Sequence, residues 1–522
     1  MKGFLRQTAY FLLLALILQS CGTPTVKLVN GKLPRSTPEA EGVDSRGIIG
    51  FLNAANADRH EFHSFMFLRH GKVITEGWWS PYSAELKHTL YSGSKSFTSS
   101  AVGFAVSENK LKVTDKVISF FPGYLPDTVS KNLSNMEVRD LLTMTAGQDP
   151  DPTFLIPPKD SNWVKAFLAR PVVNKPGTKF LYNSMATYML SAIIQKATGQ
   201  KLLDYLSPRL FGPLNIEGAD WETDPMGVNT GGWGLRLKTE DLAKFGQLYL
   251  QQGRWEGTQV LPKSWVKEAT SFKIDQRPGA PDSIRKKSDW AQGYCYQFWR
   301  CRNNAFRGDG AFGQFIIVMP EKDAVVAITS ETPDMQEEID LVWKYLLPAI
   351  HEKSLQPDPE SDKALKVLTS GLAVRLPAGS NEQGSQSDLA GRTFKLDPNP
   401  GKLETLGFSF TGSECTIRLL IEGKDYSFSF GKDSWVTGMT NLRGPNLLMR
   451  ARNHFSGIGP VKIAGIYRWR DKKTIEMTLR FIESPHHETV TCTFDKNKIS
   501  INRKISFMPE YRIPELDGKI SN

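Results

Sequence analysis

The sequence predicts an α+β protein built in two unequal parts, and three observations carry that reading. From about Pro38 to Ile350 helical and strand periodicities are mixed. After Asp388 the chain becomes a succession of short alternating segments: Ile475, Met477, Leu479 and Phe481 interleave with Glu476, Thr478 and Arg480, and Tyr426, Phe428 and Phe430 interleave with serines. Between the two lies a stretch punctuated by Pro357-Asp358-Pro359 and Pro377-Ala378-Gly379-Ser380. These shifts divide the chain into a first domain over residues 38–352, a linker over 353–387 able to hold one short helix around Ala364 to Val374, and a β domain over 388–515. One face of the β segments is apolar and the other polar, so they form an antiparallel sheet curled into a small barrel or sandwich. With 522 residues, 40% hydrophobic and 23% charged, the chain is too long for one small domain and reads as globular.

The N-terminus differs from the rest. Lys2 and Arg6 precede an apolar run from Phe11 to Leu18, too short to span a bilayer as a permanent helix, so it reads as an export signal. Leu18-Gln19-Ser20-Cys21-Gly22 resembles the lipobox of bacterial lipoproteins, where cleavage precedes a cysteine that becomes lipidated. That resemblance implies a signal peptide over residues 1–21, lipidation at Cys21 and a tether over 22–37. It further implies a protein of the bacterial cell envelope, anchored to a membrane by acyl chains, facing the periplasm at the outer membrane. The alternative is an unmodified Cys21 inside an ordinary signal peptide.

Setting aside Lys2 and Arg6, 63 basic residues face 55 acidic ones, from 65 and 55 in the whole chain. No dense Lys/Arg block accompanies the excess, so nucleic acid is not an expected partner. Four cysteines remain besides Cys21, too few for a disulfide framework. Cys415 and Cys492 sit on apolar faces of alternating strands, where two buried thiols or one disulfide both fit; Cys295 and Cys301 are undecided. No C-x-x-C or H-E-x-x-H occurs, and His60/His63 and His486/His487 lack further ligands close in sequence. No metal and no cofactor is expected.

The chemistry centres on Ser92-Gly93-Ser94-Lys95. Ser92 and Lys95 are three residues apart and share a face if the segment is helical. The following residues, Ser96 to Val106, are small and apolar nearly all round, as in a helix buried mid-domain with Ser92 at its N-terminal end. Unpaired N–H groups and the positive end of the helix dipole favour an oxyanion there. Desolvation would depress the lysine's pKa, so that its neutral amine can take the serine proton. The same spacing at Ser107/Lys110, Ser264/Lys267, Ser283/Lys286 and Ser429/Lys432 falls in polar surroundings or in the β domain and reads as surface.

Several stretches together resemble one family over roughly Pro38 to Ile350: the serine β-lactamase and penicillin-binding-protein superfamily, in particular the class C β-lactamase-like hydrolases. That branch includes esterases, D-amino-acid peptidases and hydrolases of aminohexanoate oligomers. Besides Ser92 and Lys95, the resemblance rests on Val138 to Gly147 (VRDLLTMTAG) and Gly232 to Leu242 (GWGLRLKTEDL), in the family's order. It implies an antiparallel sheet flanked by helices, with a helical subdomain. Tyr182-Asn183-Ser184 stands where the family has Tyr-x-Asn, making Tyr182 the proton-transfer partner. Ser184 replaces the asparagine that would hold the lysine and the substrate's acyl-amide group, which argues against β-lactams. Asn183 points elsewhere.

Arg307 to Pro320 (RGDGAFGQFIIVMP) resembles the glycine-rich version of the third motif, without its lysine or histidine. It implies an inner strand whose backbone approaches the substrate, with Gly310 permitting the approach and an N–H near Ala311 completing the oxyanion hole. Asp309 is either substrate-facing or an ordinary turn aspartate. Ala324 to Thr329 then forms the adjacent antiparallel strand.

The expectation is a serine hydrolase that cleaves a carboxylic ester or a small amide or peptide bond through an acyl-enzyme at Ser92. Its partners are a small-molecule or peptide substrate and, through the lipid, a membrane. A catalytically silent cell-wall or ligand-binding protein of the same fold is one alternative, and a true β-lactamase or D,D-peptidase another. A G-x-S-x-G nucleophile elbow is absent from the sequence.

Overall fold

Residues 26–57, 60–155, 162–376, 384, 386–448 and 457–521 are described by the structure, a computed structural model. The expected signal peptide and Cys21 lie outside the described residues.

The first domain is organised by a six-stranded antiparallel sheet, in the order Lys72–Trp78, Glu61–Arg69, Ala324–Glu331, Gln314–Met319, Phe306–Gly310, Trp299–Arg300. Two strands come from before residue 80 and four from after 298, and the intervening chain supplies the helical side. The inner strands read as apolar runs because both faces are covered. Met66, Leu68, Ile316, Val318, Val325 and Ala327 pack into a core shared with helices Ser94–Ser107, Ser184–Thr198 and Thr239–Leu250. Their neighbours Phe65, Phe67, Phe315, Ile317, Val326 and Ile328 face a second core closed by helix Ser45–Asn56.

Helix Ser94–Ser107 lies in the middle of the domain, buried on nearly every side. Its small residues allow close neighbours: a Cβ on Gly103 would stand 2.4 Å from the Trp265 ring. Phe97 stacks on Phe245 at 3.9 Å.

The C-terminal sheet closes on itself, so of the two expected forms it is a barrel. Nine strands run in the order Val461–Asp471, Thr474–Arg480, His487–Asp495, Lys498–Ile505, Leu516–Ile520, Thr393–Leu396, Leu403–Thr411, Glu414–Ile421, Lys424–Gly431, and the last meets the first where Gly431 pairs with Ile466. Val436–Thr440 pairs beside that closure, outside the ring. Closure removes the sheet edges that would otherwise invite pairing with another chain. The final strand ends at Ile520, beyond the expected boundary at 515, because Leu516 completes the interior with Phe394, Phe408, Tyr467 and Met477. Cys415 and Cys492 lie in this interior, and all four described cysteines are free and buried.

The two connecting segments are docked. Val26 and Leu33, in the expected tether, are buried, and Arg35 bridges Glu76 and Glu240. The helix expected around Ala364 to Val374 runs instead over Pro359–Ser370. Asp358 caps it, Pro359 opens it with φ already suited to a helix, and Gly371 follows its end. Leu365, Leu372 and Val374 then join the core beneath helix Ser45–Asn56.

Barrel and first domain meet through apolar contacts, with Ala464 and Ile482 joining the core beneath helix Ser45–Asn56, and through charged and polar groups. Arg480 places two nitrogens 2.6 and 2.7 Å from the Glu61 carboxylate, Arg236 reaches Glu483 at 3.2 Å, and the Glu483 carbonyl accepts from both the N–H and the hydroxyl of Thr89. Burial alone would raise the Glu61 carboxyl, but the Arg480 guanidinium overrides it and holds the group well below the usual carboxylate range. Arg480 is 3% exposed, so Glu61→Ala strands a buried cation. The substitution is expected to cost about 3 kcal/mol, read as a lower urea midpoint; an unchanged midpoint would refute the assignment.

Candidate active site

The short strand His88–Thr89 leads into a tight turn, Tyr91–Gly93, from which helix Ser94–Ser107 continues. Ser92 therefore stands just ahead of the first helical turn, where backbone N–H groups have no intrahelical acceptor. Lys95 is 2% exposed. Its Nζ donates to Ser92 Oγ at 3.0 Å, Ser184 Oγ at 3.0 Å and the Gly232 carbonyl at 2.6 Å. Gly232 reaches this position because it lacks a side chain: a Cβ there would meet the Ser184 carbonyl at 2.6 Å. Burial disfavours the ammonium and, against the opposing pull of Asp151 and Asp309, pushes Lys95 down to about 7.

Tyr182 presents its ring 5.0 Å from Lys95 Nζ and stacks on Trp299 at 5.8 Å. Burial pushes its phenol up, opposed by a hydrogen bond with Ser92, so it is protonated at neutral pH. Asn183 caps helix Ser184–Thr198 by accepting from the Ala186 N–H, and its amide donates to Gln148; it faces away from Lys95. Ser184 thus assumes half of the role expected for an asparagine, holding the lysine with an oxygen but offering no amide.

Asp309 is in a strand, paired with Phe315, and not in a turn. Burial raises its carboxyl while Arg307, 2.8 Å away, opposes the shift. The Arg307 guanidinium is fully buried, 4.3 Å from the Trp290 ring centre. Gly310 sets the spacing of the site: a Cβ there would lie 2.1 Å from the Leu90 carbonyl and 3.1 Å from the Gly93 N. Ala311 follows in the hairpin turn.

These groups converge on a cleft of about 610 Å³. Ser92, Tyr182, Ser184, Asp309 and Ala311 line it, with Lys95 and Gly310 immediately behind. Of the aromatics whose position the sequence leaves open, Trp233 and Trp299 reach the cleft, while Tyr294 packs behind Trp299 at 4.8 Å and Tyr296 lies against Trp265. Asp151, Thr153, Trp290, Asp334, Leu447 and Leu448 were not singled out by the sequence. Asp149-Pro150-Asp151-Pro152 is a visible turn signal, but nothing local aims it at Ser92; only the fold does. Leu447 and Leu448 come from the barrel. Among the described residues, the cleft lining includes three aspartates and no lysine, arginine or histidine.

A family profile described as Beta-lactamase matches residues 51–347. The chain is 24% identical over 292 residues to a 6-aminohexanoate-dimer hydrolase of Paenarthrobacter ureafaciens, a match covering 52% of this chain and 73% of that protein. It is 21% identical over 324 residues to a Beta-lactamase of Escherichia coli (strain K12), covering 51% and 81%. A solved Bacillus anthracis structure, provisionally named a 6-aminohexanoate-dimer hydrolase, superposes with a TM-score of 0.51 at 21% identity, over 62% of this chain and 89% of that one, and shows the shared fold.

Because the Gly310 contacts are with backbone, Gly310→Ala is expected to destabilise the protein by roughly 1–3 kcal/mol and to displace the strand. Gly308→Ala meets side chains, the Ser96 hydroxyl at 3.2 Å and Ile316 at 3.6 Å, and is expected to be milder. Equal melting temperatures for the two variants would contradict this account.

Proposed function

The chain belongs to the beta-lactamase family and is a serine hydrolase, and we propose that it forms an acyl-enzyme at Ser92 on a carboxylic ester or small linear amide. The observation that carries the proposal is the amine of Lys95, 3.0 Å from Ser92 Oγ and pushed down to about 7. At neutral pH a substantial share of it is unprotonated and able to accept the serine proton. Oγ attacks the carbonyl carbon. The oxyanion is received by the N–H groups of Ser92 and Ala311, at the helix start and the strand end. Tyr182, protonated and beside Ser92, relays the proton to the departing alcohol or amine. Water, activated by the same groups, then releases the acyl product.

The cleft's charge bears on the substrate. A β-lactam or a peptide ending in D-alanine carries a carboxylate, and among the described residues the lining offers it three aspartates and no lysine, arginine or histidine. Neutral or cationic substrates with an apolar body fit Trp233, Trp290 and Trp299 better. The Paenarthrobacter relative is named for hydrolysis of a 6-aminohexanoate dimer, whose two units are joined by an amide bond.

Hydrolysis of short-chain nitrophenyl esters and nitroanilides by protein lacking residues 1–21 tests the reading. Ser92→Ala is expected to lose more than about 1,000-fold in kcat/KM. The rate should rise with pH through about 7, since below that value Lys95 keeps its proton and cannot act as base. A flat profile from pH 5 to 9, or an active Ser92→Ala, would sink the assignment. We also propose lipid anchoring in the cell envelope through Cys21. Radiolabelled palmitate should enter the full chain and not Cys21→Ala; equal incorporation would remove the proposal.

A further inference from the structure

The two N–H groups assigned to the oxyanion hole are each flanked by a bulky residue in the left-handed region: Tyr91, with φ 46°, precedes Ser92, and Phe312, with φ 67°, follows Ala311. Such a backbone is strained and persists only where the surroundings over-determine it. For both residues the surroundings include the same side chain, His486, from the connection between barrel strands Thr474–Arg480 and His487–Asp495. Tyr91 Oη lies 2.6 Å from His486 Nε2, and the Phe312 ring meets the His486 ring edge-on at 4.7 Å.

His486 is itself fixed. Its side chain is fully buried, its Nδ1 lies 2.7 Å from Glu331 Oε1, and Phe507 packs on its ring at 4.1 Å. Glu331 ends the central strand Ala324–Glu331 and also accepts from the Ser506 hydroxyl at 2.6 Å. Burial would raise Glu331, but the hydrogen bond from His486 overrides it and keeps the carboxylate ionised. Tyr91 Oη accepts the Leu447 N–H at 3.3 Å, leaving its own proton to donate to Nε2 while Nδ1–H donates to Glu331. A chain of hydrogen bonds therefore runs from the central sheet through the barrel to the residue before the nucleophile.

We propose that His486 is a positioning residue: through it the barrel sets the spacing of the two oxyanion donors, by a hydrogen bond to Tyr91 on one side and ring packing on Phe312 on the other. This rests on the hydrolase reading above. His486 touches no substrate; it acts through the turns that do.

The test compares wild type, His486→Phe, His486→Gln, Tyr91→Phe and the His486→Phe/Tyr91→Phe double variant in p-nitrophenyl butyrate hydrolysis, with active sites titrated by a fluorophosphonate. His486→Phe and Tyr91→Phe are expected to lose about 10- to 100-fold in kcat per titrated site, with KM changed less than about twofold. Affinity for phenylboronic acid, whose serine adduct is tetrahedral, should fall in parallel. The double variant should be no worse than the poorer single, since both break one chain, and His486→Gln, which keeps an acceptor and a donor, should recover most of the loss. A folded His486→Phe with wild-type kcat and boronate affinity overturns the inference alone, as does activity lost only in proportion to the fraction unfolded in a thermal melt. A folded wild type that neither hydrolyses the ester nor takes up the fluorophosphonate overturns the hydrolase reading and the inference with it.

Discussion

Lys95 brings its amine within 3.0 Å of Ser92 Oγ in surroundings dry enough to lower its pKa to about 7, and much of the first domain is arranged to keep it so. A lysine can be desolvated to that degree only in the middle of a domain, which is why helix Ser94–Ser107 is enclosed on nearly all sides and not laid on the surface. Enclosure in turn demands small side chains. Serine and threonine meet the need at the expense of buried hydroxyls, most of them satisfied: Ser94 Oγ accepts the Leu235 N–H, Ser96 donates to the Gln297 carbonyl and Thr98 to the Gly231 carbonyl. Gly231 and Gly232, needed for close approach, thereby tie the segment leading to helix Thr239–Leu250 to Thr98 and Lys95. The serine-rich composition after Lys95 is thus a packing solution as much as a chemical one.

The second requirement is that two backbone segments distant in sequence, Ser92 and Ala311, be held at fixed separation. Gly310 supplies the closeness and the barrel supplies the hold. Ser92 and Lys95 lie outside the barrel, but the barrel contributes Leu447 and Leu448 to the cleft wall and His486 to the packing behind the two turns. Its core is ordinary alternating β-sheet chemistry; the role proposed for it lies in one connection between strands, as function on a rigid scaffold is commonly carried by loops.

Much of this was legible in the sequence, for identifiable reasons. The alternation of Ile475, Met477, Leu479 and Phe481 marks the barrel because side chains on a strand repeat every two residues. Ser92 and Lys95 could be named from their spacing ahead of a buried helix, and Tyr182 from the resemblance of Tyr182-Asn183-Ser184 to the family's Tyr-x-Asn; the structure brings the three together. The linker helix begins ahead of the expected Ala364 because Asp358 and Pro359 set its start, and it ends before Gly371. Asp309 was undecided because Gly-Asp-Gly reads equally as a turn or as a strand that must pass close to other backbone. Asp151, Trp290, Leu447 and His486 were beyond reach: each is brought to the site by a contact spanning tens to hundreds of residues, and a lone sequence carries no record of such pairs.

The junction between the domains has a bearing on heredity. Interfaces built from apolar surface are forgiving, since many side chains of about the right size will serve and a module can be traded for another by recombination. Here the apolar contacts are joined by specific polar ones: Glu61 faces Arg480, Arg236 faces Glu483, Glu331 faces His486 and Thr89 bonds the Glu483 backbone. A catalytic domain separated from its barrel would be left with carboxylates and an arginine evolved for absent partners, and a foreign barrel would have to match all of them at once. The two domains are therefore not interchangeable cassettes, and a lineage carrying this junction can change either half only by small, paired steps.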